Sequence, residues 1–210
     1  MAADGASSAA SADAHRGLVR ARILRGARAE LAARGLSVRV EDVADAAGVS
    51  RRTVFRYFPT REALLAAALE ESMRSYGEHV PRPLAGQSLE QWLGAAVAAV
   101  HRMNAQHGQV YFELASGAAL DGELARITRA RRRARRQLVD GFTATAWELA
   151  GGTGAPPQWV HDTVAVLLSA FATEALGPDF GRTPDQIAAS LTPALMHALR
   201  GAVADERGGG

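Results

Sequence analysis

The sequence predicts an all-α protein, an N-terminal three-helix domain of helix-turn-helix form joined to a larger helical domain. Apolar residues recur at three- and four-residue intervals from Arg16 nearly to the C-terminus, and no stretch reads convincingly as a strand. Glycine and proline at 81–86, 151–157 and 177–184 divide that pattern into helix-length pieces. Most telling is the stretch Val40–Leu65, VEDVADAAGVSRRTVFRYFPTREALL, which reads as two short helices joined by a glycine turn and followed by a third.

Residues 1–15, MAADGASSAASADAH, are rich in Ala, Ser and Gly without periodicity, so a disordered tail is expected there. They lack the basic start and apolar centre of a secretory signal, and no apolar run reaches the ~18 residues of a membrane span. The expected location is the cytoplasm, with no membrane partner. A helix follows over 16–34, with Leu24, Ala27 and Leu31 on the face that packs across the back of the next two helices, and Gly35 just past its end. Arg20, Arg22, Arg25 and Arg28 fall on its solvated side.

In the second helix Val43, Ala44 and Ala47 share a face, and Gly48 is free to take the left-handed conformation that ends it. Val49 then offers an apolar anchor, and Ser50 a side-chain oxygen to cap the third helix. Val54 and Phe58, four apart, form the buried side of that helix; Arg51, Arg52, Thr53, Arg56 and Tyr57 form the other. Small and apolar behind, basic in front, it has the form needed to lay its first turn in a DNA major groove. A guanidinium from Arg51 or Arg52 can bond both acceptors on a guanine edge, while hydroxyls and further arginines hold phosphates. Pro59 stops the helix, Thr60 is placed to cap a fourth, and Glu62 sits in the favourable first turn of that fourth helix.

These residues resemble the TetR family of transcriptional regulators over about 16–80. Ala46-Ala47-Gly48-Val49-Ser50, Thr53-Val54-Phe55-Arg56-Tyr57-Phe58 and Arg61-Glu62-Ala63-Leu64-Leu65 stand in that family's order and spacing. The resemblance implies that Thr53, Tyr57 and Arg61 touch phosphates while Arg51, Arg52 and the face of Phe55 approach bases. With Ser50 and Arg56 these make up the expected DNA-binding set. Three positions depart from the family pattern. Phe55 replaces a tyrosine and so lacks a hydroxyl for a phosphate, Arg61 replaces a lysine, and Arg39-Val40 replace a threonine pair, removing the expected cap of the second helix.

Charge agrees with this division. From Arg16 to Glu62 eleven arginines face five acids, so the segment carries +6 and the remainder −4. All 24 basic residues are arginine and there is no cysteine, which excludes phosphate-loop lysines, Schiff bases, disulfides, thiol nucleophiles and thiolate metal sites. No HExxH, nucleophile elbow or usefully spaced carboxylate pair is present. A non-enzymatic protein without cofactor is expected.

Beyond a fourth helix over about 61–79 and a linker marked by Pro81, Pro83 and Gly86, helices are expected over 88–107, 109–117, 121–150, 157–176 and 185–203. The expected domains are therefore 16–62 for DNA binding, 63–86 as connecting helix and linker, and 87–205 for effector binding and dimerisation. In the helix over 157–176, Val160, Val164, Leu167 and Phe171 share one face, while Ala165, Val166, Ala170 and Ala172 leave the other apolar too. A helix apolar all round needs cover on every side. The last helix, with Ile187, Leu191, Ala194, Leu195 and Ala198, is placed to share a homodimer interface, as the last two long helices of TetR-family proteins usually do. Pro193 inside it is expected to kink it.

A projection at roughly 100° per residue puts Asn104 and His107 on the apolar side of the helix over 88–107, with His101 pointing away. In the run RARRRARR over 129–136, Arg131 and Arg135 align with Leu138 and Phe142 on the inward face, while Arg129, Arg133 and Arg136 face solvent. Two readings stay open. Either Glu113 or Glu174 neutralises the inward arginines, or Asn104, His107, Arg131, Arg135 and Phe142 line a pocket for a small-molecule effector with an anionic end. Trp92, Trp147 and Trp159 read as core or rim residues. The functional expectation is a homodimeric regulator that binds a palindromic double-stranded operator and releases it when an effector binds. An activator, or a regulator controlled by a protein partner, is an alternative of the same fold, and a helical enzyme with an appended helix-turn-helix is a remote one.

Overall fold

The computed structural model describes residues 3–74, 80–116 and 122–208. Nine α-helices are described: α1 (Ala3–Arg34), α2 (Val40–Ala46), α3 (Arg51–Tyr57), α4 (Arg61–Arg74), α5 (Leu89–Ser116), α6 (Gly122–Leu149), α7 (Gln158–Leu167), α8 (Ala170–Leu176) and α9 (Pro184–Gly208), with a 3-10 turn at Gly35–Ser37. Among the described residues there is no strand.

They form two compact units. The first runs to Ser72 and also takes in the start of α6 as far as Ile127; the second is the rest of the described chain. The first unit thus extends beyond 16–62 to include most of α4, and its tie to α6 is visible. Arg126 reaches Glu70 at 2.6 Å and Glu123 at 2.8 Å.

The core of the first unit is made where α1 crosses α2. Ile23, Ala27 and Leu31 are buried with Val43, Ala44 and Ala47. Gly26 permits the close approach: a Cβ there would lie 3.2 Å from the Ala47 nitrogen. α1 itself begins at Ala3, so residues 3–15, expected to be irregular, continue the helix. Alanine is the strongest helix former and no proline interrupts the segment, so propensity alone extends a helix already anchored at Ile23.

α5 is one continuous helix where a break near residue 108 was expected. It runs along α8 and α9, and it buries Trp92, Leu93, Ala96, Val97, Val100 and Leu114. α9 runs through Pro193, which is exposed, with Ile187, Leu195, Leu199 and Val203 inward. By length and composition α9 is apolar enough to cross a membrane. Part of that apolar surface is used on α5 and α7. The linker is held by the Trp92 indole, whose N–H donates to the Pro81 carbonyl at 2.8 Å.

The expected single helix over 157–176 is two. α7 stops at Leu167, Leu168 and Ser169 leave helical geometry, and the Ser169 hydroxyl accepts the Ala172 N–H at 3.1 Å to start α8. The interruption re-aims the residues after it. Phe171, expected on the inward face, is 47% exposed.

Candidate nucleic-acid interface and effector pockets

The first unit presents α3 through three local devices that the sequence encodes. At the end of α2, Gly48 has φ +60°, its N–H donates to the Asp45 carbonyl at 3.0 Å, and the Val49 N–H donates to the Ala44 carbonyl at 3.0 Å. That pair of bonds is a Schellman turn, and it needs a residue tolerant of the left-handed region. The Ser50 hydroxyl accepts the Thr53 N–H at 3.1 Å and lies 3.0 Å from the Thr53 hydroxyl. Thr60 caps α4 in the same way, accepting the Ala63 N–H at 3.0 Å.

α2 replaces its missing cap from the other side. Arg39 offers no acceptor, so the Asp42 carboxylate reaches back to accept the Arg39 N–H at 3.0 Å. That backbone bond, aided by the Arg34 and Arg39 guanidiniums, holds the Asp42 carboxyl below its ordinary range.

On α3, Val54 and Phe58 are buried, and the Arg20 guanidinium covers the Phe58 ring at 5.4 Å. Ser50, Arg51, Arg52 and Arg56 are exposed, with Thr53, Phe55 and Tyr57 half-buried between them. Arg51 pairs with Glu41 at 3.0 Å and stands over the Phe55 ring at 5.3 Å; Arg56 stands over Tyr57 at 5.4 Å. Seven of the eight expected DNA-binding residues therefore share one helix and its cap.

Arg61, the eighth, is engaged elsewhere. Its Nε donates to the Val38 carbonyl at 2.8 Å, and a terminal nitrogen donates to the Leu36 carbonyl. A guanidinium has donors for both carbonyls where an ammonium would be a single point charge. Arg61 therefore braces the turn before α2. Arg61→Ala is expected to lower the stability to urea, by about 1 to 3 kcal/mol for the loss of its bonds to the Val38 and Leu36 carbonyls, rather than to flatten the salt dependence of DNA binding. A flattened salt slope with an unchanged midpoint would return Arg61 to the phosphates.

In the second unit the five expected effector residues do not share one cavity. Asn104 is fully buried, and its amide donates to the Leu168 carbonyl at 3.3 Å and to the Thr173 hydroxyl at 3.2 Å. His107 meets the Tyr111 ring edge-on at 5.8 Å. Phe142 packs on Trp92 at 4.9 Å and, with Leu138, lines a cleft of about 450 Å³ bounded by Pro81, Arg82 and Pro83. Arg131 and Arg135 line a different groove of about 520 Å³ against Ala165, Val166 and Phe171. Arg135 donates to the Ala165 carbonyl, and Arg131 stands over the Tyr111 ring at 5.9 Å. Arg136 is exposed, as expected, and lines that groove too.

His101 does not point away. It is fully buried, with Nδ1 2.8 Å from the Thr173 hydroxyl. α5 packs against helices on more than one side, so a projection with a single apolar face misplaces it. Burial pushes its imidazole from 6.5 down to about 4, against a smaller opposing pull from the backbone of Leu167. As pH falls from 6.5 towards 4 the unfolded chain binds a proton that the folded chain refuses, so stability drops across that window and is flat above it. Up to about 3 kcal/mol is expected, read as the loss of urea stability between roughly pH 7 and pH 4.5. His101→Gln should flatten the curve; an equally steep loss in that variant would assign it to other groups. Trp92 and Trp147 are core residues and Trp159 is half-exposed, as expected. Among the described residues no three His, Asp, Glu or Cys side chains gather to hold a metal.

Residues 23–68 match the family model of bacterial regulatory proteins, tetR family. No curated protein matches the chain's sequence. Among solved structures, a transcriptional regulator from Rhodococcus sp. Rha1 superposes with a TM-score of 0.67 at 24% identity, over 87% of this chain and 97% of that one. GusR of Salmonella enterica gives 0.62 at 21% identity, over 89% and 95%. FadR from Bacillus subtilis, solved in complex with stearoyl-CoA, gives 0.61 at 15% identity, over 87% and 98%.

Proposed function

We propose that this chain, which belongs to the tetR family of bacterial regulatory proteins through residues 23–68, is a cytoplasmic one-component repressor. It acts as a homodimer on a palindromic operator and lets go when a small molecule occupies its second unit. The observation that carries this is α3, whose apolar side is spent on the core while Arg51, Arg52 and Arg56 stand exposed behind a Ser50 cap. Such a helix is built to be read by a groove. The reading calls for no catalytic step.

Dimerisation is supported by apolar surface left uncovered on the last helices. Trp159 on α7 is 49% exposed, and Ala189, Pro193, Ala194 and Gly201 on α9 are exposed as well. A two-fold dimer of such chains calls for an operator with matching symmetry. That a neighbour of the same fold is solved with stearoyl-CoA supports a small-molecule effector as a class; its chemistry here is read from this chain's own cleft and groove. The test is selection of binding sites from random duplex, with sedimentation of the free protein. A symmetric consensus with half-sites about one helical turn apart and a dimer are expected. A sequence-indifferent monomer would sink the reading.

A further inference from the structure

Arg131, Arg132, Arg135 and Arg136 fall at positions i, i+1, i+4 and i+5 of α6, which places four guanidiniums on one side of the helix. All four line the groove of about 520 Å³ against the α7–α8 break, whose described lining holds no carboxylate. Arg132 and Arg136, both exposed, stand four apart, and like charges at that spacing on a helix repel.

The far wall is apolar: Ala165, Val166, Ala170 and Phe171. It spans the place where the helix stops at Leu167 and restarts at Ala170. Phe171 is paired edge-on with Phe112 at 5.0 Å, and both rings are more than a third exposed. Ser169, the uncharged polar group of the lining, is already used. Its hydroxyl donates to the Val166 carbonyl at 2.7 Å and accepts the Ala172 N–H. Polar recognition in the groove therefore falls to the arginines, and Arg135 is held in place by the Ala165 carbonyl.

We infer that this groove binds a small soluble amphiphile, its phosphate-type head held by Arg132, Arg135 and Arg136 and its apolar segment laid on Val166, Ala170 and Phe171. The multiple charge of a phosphate matches a cluster of guanidiniums better than one carboxylate does, and Arg forms paired bonds to its oxygens. The groove's size is that of ordinary small-ligand sites. The inference rests on the reading of the second unit as the effector-binding part, and it names the ligand class.

The probe is octyl phosphate below its micellar concentration, titrated calorimetrically into the full chain, beside octanol and inorganic phosphate. Octyl phosphate is expected to bind at least tenfold tighter than either. Arg132→Ala with Arg136→Ala, both exposed positions, should weaken it at least tenfold without lowering the thermal midpoint; Phe171→Ala should weaken octyl phosphate but not inorganic phosphate. Equal binding by parent and double variant overturns the site. So does binding confined to phosphatidic acid vesicles, which makes the face a membrane-docking surface. A double variant that loses duplex DNA affinity or dimerisation, in a protein that never binds octyl phosphate, also overturns it. Operator affinity is measured separately by anisotropy. Its failure with octyl phosphate binding intact would fall on the regulator reading alone.

Discussion

Arg52→Ala is expected to weaken operator binding by about 1 to 3 kcal/mol for each base edge it no longer bonds, and by more than Arg51→Ala. Both residues stand in the first turn of α3, but they start from different states. Arg51 is bonded to Glu41 and stacked on Phe55, so part of what it gains at a base edge is offset by leaving an ion pair. That offset is small, since both partners are exposed and such pairs contribute about 1 kcal/mol or less. It still sets the order of the two effects. It also predicts a third result: Glu41→Gln should tighten binding to every duplex by freeing Arg51 and removing a negative charge beside the phosphates. Anisotropy titrations with operator and scrambled duplexes over a salt series separate the cases. If the double variant Arg51→Ala, Arg52→Ala selects the same sites as the parent with equal affinity, α3 is not the reading helix.

Thr173→Val should destabilise the second unit by about 2 to 4 kcal/mol, although it changes side-chain volume very little. The hydroxyl of Thr173 sits between the imidazole of His101 at 2.8 Å and the amide of Asn104 at 3.2 Å, and it donates to the Ser169 carbonyl at 3.3 Å. All of it is buried. Removing the hydroxyl leaves His101 Nδ1 without that partner and Asn104 with the Leu168 carbonyl alone, in a core where Asn104 Oδ1 already has none. An unmet buried polar group forfeits its whole desolvation cost. Thr173→Ser keeps the oxygen and should cost far less. Urea unfolding of the two variants decides it: a loss in Thr173→Val no greater than in Thr173→Ser would mean that the cluster does not hold α8 on α5.

The parts of the fold legible in the sequence are those fixed by neighbours in the chain. Ser50 and Thr60 announce their helices because a cap bonds to a residue three positions on, and Gly48 announces the elbow because the turn needs its positive φ. The break after Leu167 is not legible there. VAVLLSAFATEAL contains no glycine or proline, and at the break the Leu168 carbonyl is bonded by Asn104, 64 positions away. The same holds for Arg61, whose place in the order of residues matches a phosphate-binding position while its length lets it reach the carbonyls of Leu36 and Val38. Long-range partners also scatter the expected effector set. Arg131, Arg135 and Phe142 do line cavities, but two different ones.

The break has a consequence for isotope exchange. Starting a new helix inside the second unit creates a first turn, and the N–H groups of Ala170 and Phe171 have no carbonyl within α8 to receive them. Ser169 takes the N–H of Ala172, three positions on from itself. Deuterium should therefore enter at Ala170 and Phe171 by local opening, far ahead of the flanking amides of α7 and of α5, which wait for larger unfolding. Both residues line the arginine groove, so these amides would report its occupancy directly: a bound molecule that excludes water there slows their labelling while leaving that of α9 as it was.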